Sequence, residues 1–276
     1  MLIDTHAHVN FNAYKKDADK VIRRSLGNHI WVINAGSQYD TSKRAVEMAR
    51  KYKEGVFAAV GLHPIHLSSD WFKAKVDKEE IEFKTREEKF DYQKYKKLAK
   101  SKEVVAIGEI GLDFLYKPKD VKNQEEFKEK QKEILKEQIL LAKELNLPVI
   151  LHCREAHKEM LEILSDKKYK VRGVLHCFVG TKKEAKKYLD LGFYLGFNGI
   201  IFKKDLADVI KYIPIGKILV ETDCPYLTPP PAEGRNEPLN IRYVCKKILE
   251  IKKMKMIKDF EIQIVKNTKE LFNKIR

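Results

Sequence analysis

Residues 1–8 read Met1-Leu2-Ile3-Asp4-Thr5-His6-Ala7-His8, an apolar strand start that runs into two histidines one residue apart. Side chains alternate along a strand, so His6 and His8 leave it on one face and offer two imidazoles to one point. That is a bidentate metal clip. His-x-His pairs also arise by chance, so its meaning depends on what the rest of the chain brings to the same point.

Working outward, the first run Leu2–His6 is followed by seven more short apolar runs: Ile30–Ala35, Val56–Leu62, Val104–Glu109, Pro148–His152, Gly173–His176, Phe193–Phe197 and Lys217–Glu221. Longer amphipathic segments separate them. The clearest is Gln124–Leu145, where Phe127, Ile134, Leu141 and Leu145 recur on one helical face. Eight such units, with no antiparallel hairpin signal, predict an α/β fold closed as a (β/α)8 TIM barrel, with a doubly wound sheet as the alternative. The 276 residues suit one such barrel of about 250 residues, and no composition shift divides them, so residues 1–276 read as a single domain. In the longest connection, His66–Glu103, the amphipathic pieces Glu79–Phe90 and Tyr92–Leu98 predict a third helix with a partly helical extension.

In a parallel barrel the C-terminal strand ends converge on one mouth. Here six of the eight runs end in ionisable side chains: His6 and His8, His63, Glu109 with Asp113, His152 with Arg154 and Glu155, His176, and Glu221 with Asp223. Several imidazoles and carboxylates buried together must be paired or metal-bound. Two divalent ions meet that need, with His6, His8 and Asp223 on one, His152 and His176 on the other, and Glu109 giving one oxygen to each. Cys153, Cys177 and Cys224 each follow one of these residues and should point the opposite way, toward the helix layer. No Cys-x-x-Cys pair suggests a zinc ribbon, and no spacing suggests a disulfide framework.

Composition narrows the partners. Fifty-five Lys and Arg against 40 Asp and Glu give a net charge of +15, which favours polyanions such as nucleic acid, although a Lys-rich composition can also reflect heat adaptation. No apolar run approaches the roughly 20 residues of a membrane span, and no basic-then-apolar leader opens the chain, so a cytoplasmic protein is expected. No obligate protein partner is implied. Lys246, Lys247, Lys252, Lys253, Lys255 and Lys258 read as a solvated face more readily than as a DNA track.

The motifs Asp4-Thr-His6-Ala-His8, Gly61-Leu-His63-Pro64, Gly108-Glu109-Ile-Gly111-Leu-Asp113, Leu151-His152-Cys-Arg154, Leu175-His176-Cys-Phe178, Glu221-Thr-Asp223-Cys-Pro225 and Arg235-Asn-Glu237-Pro238 occur in order. Taken together from Leu2 to about Pro238, they resemble the TatD family of metal-dependent deoxyribonucleases. The resemblance implies a DNA-cleaving enzyme whose metal ligands are His6, His8, Glu109, His152, His176 and Asp223. It also makes His63, Arg154 and Arg235 candidates for substrate phosphates. Asp223 and Glu109 are the catalytic candidates, Asp223 as general base toward the attacking water, and Glu221 could orient a ligand from behind. Two ions are expected, as Mg²⁺, Mn²⁺ or Zn²⁺: imidazoles favour the transition metals, and the resemblance favours Mg²⁺. Cys153 stands where relatives usually carry Ser. Pro231-Ala-Glu233-Gly234 lacks an Arg that relatives commonly place beside the Gly, so one basic phosphate contact is missing.

Two rivals differ in class. One is a barrel hydrolase acting on another ester, such as an aminoacyl-tRNA, or on a C–N bond; many such enzymes bridge their metals with a carbamylated lysine, and no Lys stands at position 109 or 152. The other is a basic nucleic-acid-binding protein stabilised by metal, but structural sites are normally closed and four-coordinate.

Overall fold

Short β-branched runs followed by amphipathic helices leave each strand to pair with its successor in parallel. In the computed structural model, residues 1–69, 71–76, 79–116, 118 and 123–276 are described, without the side chains of 71–76 and 79–83. Ten strands occur among them: β1 (Leu2–Ala7), β2 (Ile30–Ala35), β3 (Val56–Val60), β4 (Trp71–Val76), β5 (Glu79–Lys84), β6 (Val104–Asp113), β7 (Val149–Arg154), β8 (Gly173–Leu175), β9 (Tyr194–Phe197) and β10 (Ile218–Val220). Eight form one parallel sheet in the order β1-β2-β3-β6-β7-β8-β9-β10. The helices are α1 (Ala18–Gly27), α2 (Tyr39–Ala49), α3 (Tyr92–Ala99), α4 (Gln124–Glu144), α5 (His157–Ser165), α6 (Lys182–Asp190), α7 (Ala207–Tyr212), α8 (Ile241–Ile251) and α9 (Ile257–Leu271).

The last strand returns to the first through side chains as well as backbone. Thr5 Oγ1 donates to Val220 O (3.0 Å), Asp223 N to His6 O (2.8 Å) and His8 N to Cys224 O (2.8 Å). Buried Asp4 spans the same seam, 2.9 Å from Thr222 N and 2.5 Å from Thr222 Oγ1. The result is a nearly closed eight-stranded (β/α)8 barrel.

One expectation fails. Where no hairpin was anticipated, β4 and β5 form an antiparallel pair, Phe72 opposite Phe83, and the third helix is confined to Tyr92–Ala99. Residues 71–84 alternate apolar and charged side chains over much of their length, and this two-residue period outweighs the helical reading of Glu79–Phe90.

The barrel interior changes character from end to end. Low in the barrel Ile3, Ile33, Ile150, Val174 and Leu219 pack together under Leu271, Phe272 and Ile275. Lys274 Nζ donates to Val104 O and Asn267 Nδ2 to Ile218 O, so the end of α9 caps the strands' N-terminal side. The opposite end is the polar mouth. Outside, α8 buries Ile241, Val244, Cys245 and Ile248, a stripe at helical spacing.

Helix α4 departs from its expected face. Phe127, Leu135, Ile139, Leu141 and Ala142 are buried, Ile134 only half so, and two glutamines join them. Gln138 exchanges both amide bonds with Leu62 (2.8 Å from Leu62 N, 3.0 Å to Leu62 O), and Gln131 does the same with Asp113 (2.8 and 3.1 Å). Each satisfies a strand-end peptide that would otherwise be buried without a partner.

Candidate metal centre

The strand ends bring His6 and His8 from β1, Glu109 and Asp113 from β6, His152 from β7, His176 after β8 and Asp223 after β10 to one mouth, with His63 after β3. Nearly all are buried; Asp223 and His152 keep only 14% and 17% side-chain exposure. Close strand approach makes this possible at Gly111, where φ is +153° and an added Cβ would meet His152 O at 1.9 Å. Asp223 itself adopts φ +57°, an uncommon left-handed conformation for a residue with a side chain.

Two sets of donor atoms share Glu109. On one side His6 Nε2 and His8 Nε2 lie 3.1 Å apart, 3.4 and 3.6 Å from Glu109 Oε2, and 3.8 and 3.4 Å from Asp223 Oδ1. Donors about 2.0–2.1 Å from a tetrahedral ion stand about 3.4 Å from one another, so these separations fit a single cation. On the other side Glu109 Oε1 lies 2.8 Å from His176 Nε2 and 3.0 Å from His152 Nδ1, which are 3.4 Å apart. His63 stands beside this second set, its Nε2 3.3 Å from the same Glu109 oxygen.

His8 and His152 are oriented from behind by hydrogen bonds, whereas His6 Nδ1 is buried without a hydrogen-bond partner among the described residues. Ala35 O accepts from His8 Nδ1 (2.9 Å), freeing Nε2 for the centre. Asp113 Oδ2 sits 3.1 Å from His152 Nε2, so Nδ1 faces inward. Glu221 Oε1 is 3.4 Å from His176 Nδ1 without hydrogen-bond alignment, and is fixed by Cys177 N (2.7 Å) and Asn198 Nδ2 (3.1 Å). His63 differs: its Nδ1 accepts from Ile65 N (3.2 Å), so the neutral ring carries its proton on Nε2, 3.3 Å from Glu109 Oε1. In that tautomer it is a hydrogen-bond donor toward Glu109, although its Nε2 also falls in one donor group with Glu109 and His152.

The electrostatics also suit cations. Glu109, Asp113, Glu221 and Asp223 crowd the mouth. Burial acts to raise Glu109, yet His63, His176, His6 and His152 hold its carboxyl well below the usual range. Burial likewise opposes charge on His176, but Glu109 and Glu221 raise it well above its ordinary value; His152 and His8 are raised by Asp113 with Glu109 and by Asp223 with Glu109. Without metal the raised His176, His152 and His8 thus favour their charged forms beside the carboxylates, whereas burial lowers His6 and His63; divalent cations would take the place of those protons.

The remaining expected residues lie apart. Arg154, half-buried at the end of β7, makes no side-chain hydrogen bond or ion pair with a described residue. Arg235 was expected at the substrate, but its guanidinium is engaged by both oxygens of Asp17 (3.0 and 2.6 Å) and by Ala13 O (2.6 Å), and stacks on Tyr14 at 4.1 Å. That fork is occupied in bracing the loop. Asn236 does the same work, donating to Thr222 O and Tyr226 O. Asp113 received no role from sequence, although its place two strand steps beyond Gly111 and four beyond Glu109 put it on the same strand end. The cysteines point away: Cys153 Sγ meets His157 Nδ1 (3.3 Å), Cys177 Sγ meets Asn198 Oδ1 (3.6 Å), and Cys224 is buried. Among the described residues no helix is long and apolar enough to cross a membrane.

Known proteins carry the same pattern. The family described as TatD related DNase matches residues 3–273. The chain is 38% identical to the uncharacterized metal-dependent hydrolase YabD of Bacillus subtilis, covering 99% of both chains. It is 31% identical to a Citrobacter koseri protein named 3'-5' ssDNA/RNA exonuclease TatD, covering 90% of both. The crystal structure of the TatD homologue YJJV from Escherichia coli K12 superposes with a TM-score of 0.81 at 27% identity, covering 99% of this chain and 98% of that one. Barrel, mouth and sequence together place this chain in the TatD family of metal-dependent hydrolases.

Proposed function

We propose that the chain is a two-metal deoxyribonuclease that hydrolyses DNA phosphodiesters, as a 3'-5' exonuclease or repair-type nuclease acting on single strands. The observation that carries this reading is Glu109, whose two oxygens face two separate sets of ligands. His6, His8 and Asp223 would hold one divalent ion, and His152 with His176 the other. Bound Mg²⁺, Mn²⁺ or Zn²⁺ would supply a hydroxide-level nucleophile near neutral pH and neutralise charge on the reacting phosphate.

The chain's own groups complete the site. Asp223 turns Oδ1 toward the histidines, and its Oδ2 makes no hydrogen bond to a described residue, leaving it able to take the attacking water's proton. His63 presents Nε2–H as a donor to a phosphate oxygen. Arg154 offers a fork that makes no hydrogen bond or ion pair with a described residue and suits bidentate phosphate binding. The net charge of +15 favours a polyanionic substrate, and the Citrobacter koseri relative's name supports 3'-5' action on single strands.

The test incubates end-labelled single- and double-stranded DNA with Mg²⁺ or Mn²⁺, comparing wild type with Glu109→Ala. A ladder shortened from the 3' end, lost in the variant, is expected. Retained DNA binding with no cleavage by either protein would overturn the reading in favour of a non-catalytic binding protein.

A further inference from the structure

Two loops that follow ligand-bearing strands meet beside the mouth. The turn after His8 carries Lys15 and Lys16, the first turn of α1 carries Lys20, and the loop after Asp223 carries Arg235. Together they line a groove of about 590 Å³ whose one acidic residue, Asp17, is already held by Arg235. The three lysines are exposed, and none makes an ion pair or side-chain hydrogen bond with a described residue. The two acids interleaved with these lysines are already engaged, Asp17 by Arg235 and Asp19 by Arg23 and Tyr52, so neither neutralises the lysines by an ion pair. A second groove, around Tyr39 and Tyr95, mixes four acidic with three basic residues and lacks this bias.

Aromatic rings connect the groove to the centre. Phe11, immediately before the groove residue Asn12, stacks on His8 with centroids 4.2 Å apart. Tyr226, three residues after Asp223, lies 6.4 Å from His8. Both are half-buried. Basic side chains along a track, with aromatic rings at its inner end, are the combination that single strands use: phosphates follow the charge and bases stack on the rings.

The C-terminal lysines do not compete for this role. Lys252 Nζ is taken by Lys211 O and Ile213 O, and α9 ends against the N-terminal side of the strands, away from the mouth. We infer that the lysines of this groove, Lys15, Lys16 and Lys20, bind the backbone of single-stranded nucleic acid flanking the cleaved bond, while Arg235 braces the groove by holding Asp17. This rests on the nuclease reading for the identity of the polyanion. For a strand consumed from its 3' end, the flanking part is the 5' side.

The test measures binding of a fluorescent single-stranded oligonucleotide of about a dozen nucleotides by anisotropy over a salt series, with no divalent ion present. The comparison is wild type, Lys15→Ala/Lys16→Ala/Lys20→Ala, and Lys253→Ala/Lys255→Ala/Lys258→Ala. Each single-strand phosphate contact contributes about 0.7 to the slope of log affinity against log salt, so the groove variant should lose about 2 from it and bind about a hundredfold more weakly near 0.1 M salt. The C-terminal variant, with the same change in charge, should stay within about twofold of wild type. An unchanged slope in the groove variant, or an equal loss in the C-terminal one, overturns the inference. Cleavage with an unchanged slope would sink the groove and leave the nuclease reading standing; the expected loss of slope in a protein that fails to cleave DNA with either Mg²⁺ or Mn²⁺ would do the reverse.

Discussion

Replacing Asp113 by Asn isolates the part played by orientation. Asp113 is 1% exposed and accepts two hydrogen bonds, from His152 Nε2 (3.1 Å) on Oδ2 and from Tyr116 N (3.0 Å) on Oδ1. An amide keeps the shape but has one oxygen for two donors. If its oxygen keeps Tyr116, its NH2 faces His152 Nε2 and drives the ring proton to Nδ1, the atom that faces Glu109 Oε1. Loss of such a partner to a metal-binding histidine typically costs 10–100-fold in metal affinity, about 1.4–2.7 kcal/mol. The loss should fall on one ion only, because His6, His8 and Asp223 do not touch Asp113. Titration against a chromophoric chelator should therefore resolve one step weakened by that factor and one within about twofold of wild type. Equal weakening of both steps, or of neither, would refute the assignment of Asp113 to His152.

Three further outcomes are expected. Gly111→Ala should unfold earlier: a Cβ 1.9 Å from His152 O at φ +153° implies about 2–4 kcal/mol from strain and overpacking, or roughly 4–16 °C in Tm by scanning calorimetry. Metal binding should release protons. His176 is raised well above its ordinary value without metal, so it holds its proton at neutral pH, and affinity should climb with pH until that raised pKa is passed; calorimetry in two buffers of different ionisation enthalpy would detect the release, and buffer-independent heats would exclude it. Protein purified without chelator should carry at least one transition metal by elemental analysis if the four imidazoles proposed as ligands bind, and recovery of Mg²⁺ alone would count against that assignment.

The eight parallel strands were legible because each run is apolar, short and bounded by amphipathic segments, and the histidines showed themselves by ending those runs. Residues 71–84 misled because alternating charge in a long connection also scans as a surface helix; only the pairing of β4 with β5 separates the two. The engagement of Arg235 is not legible because sequence gives an arginine's neighbourhood but not its partner, and Asp17, 218 residues earlier, is invisible from position 235. The glutamines of α4 were hidden for a related reason: a polar residue on an apolar helical face scans as a break in the stripe, whereas its peptide partners at Leu62 and Asp113 belong to other elements.

Those two glutamines make α4 a spacer bar for the mouth. They stand seven residues apart, close to two full turns and about 10 Å along the axis, and one grips the peptide before His63 while the other grips the peptide that carries Asp113. A single residue inserted between them would swing one grip by about 100° and release its loop, whereas the same insertion ahead of Gln124 should leave both grips in phase. The tolerance of this protein to length changes should therefore switch abruptly within one helix, at a boundary set by amide side chains lying outside the ligand set.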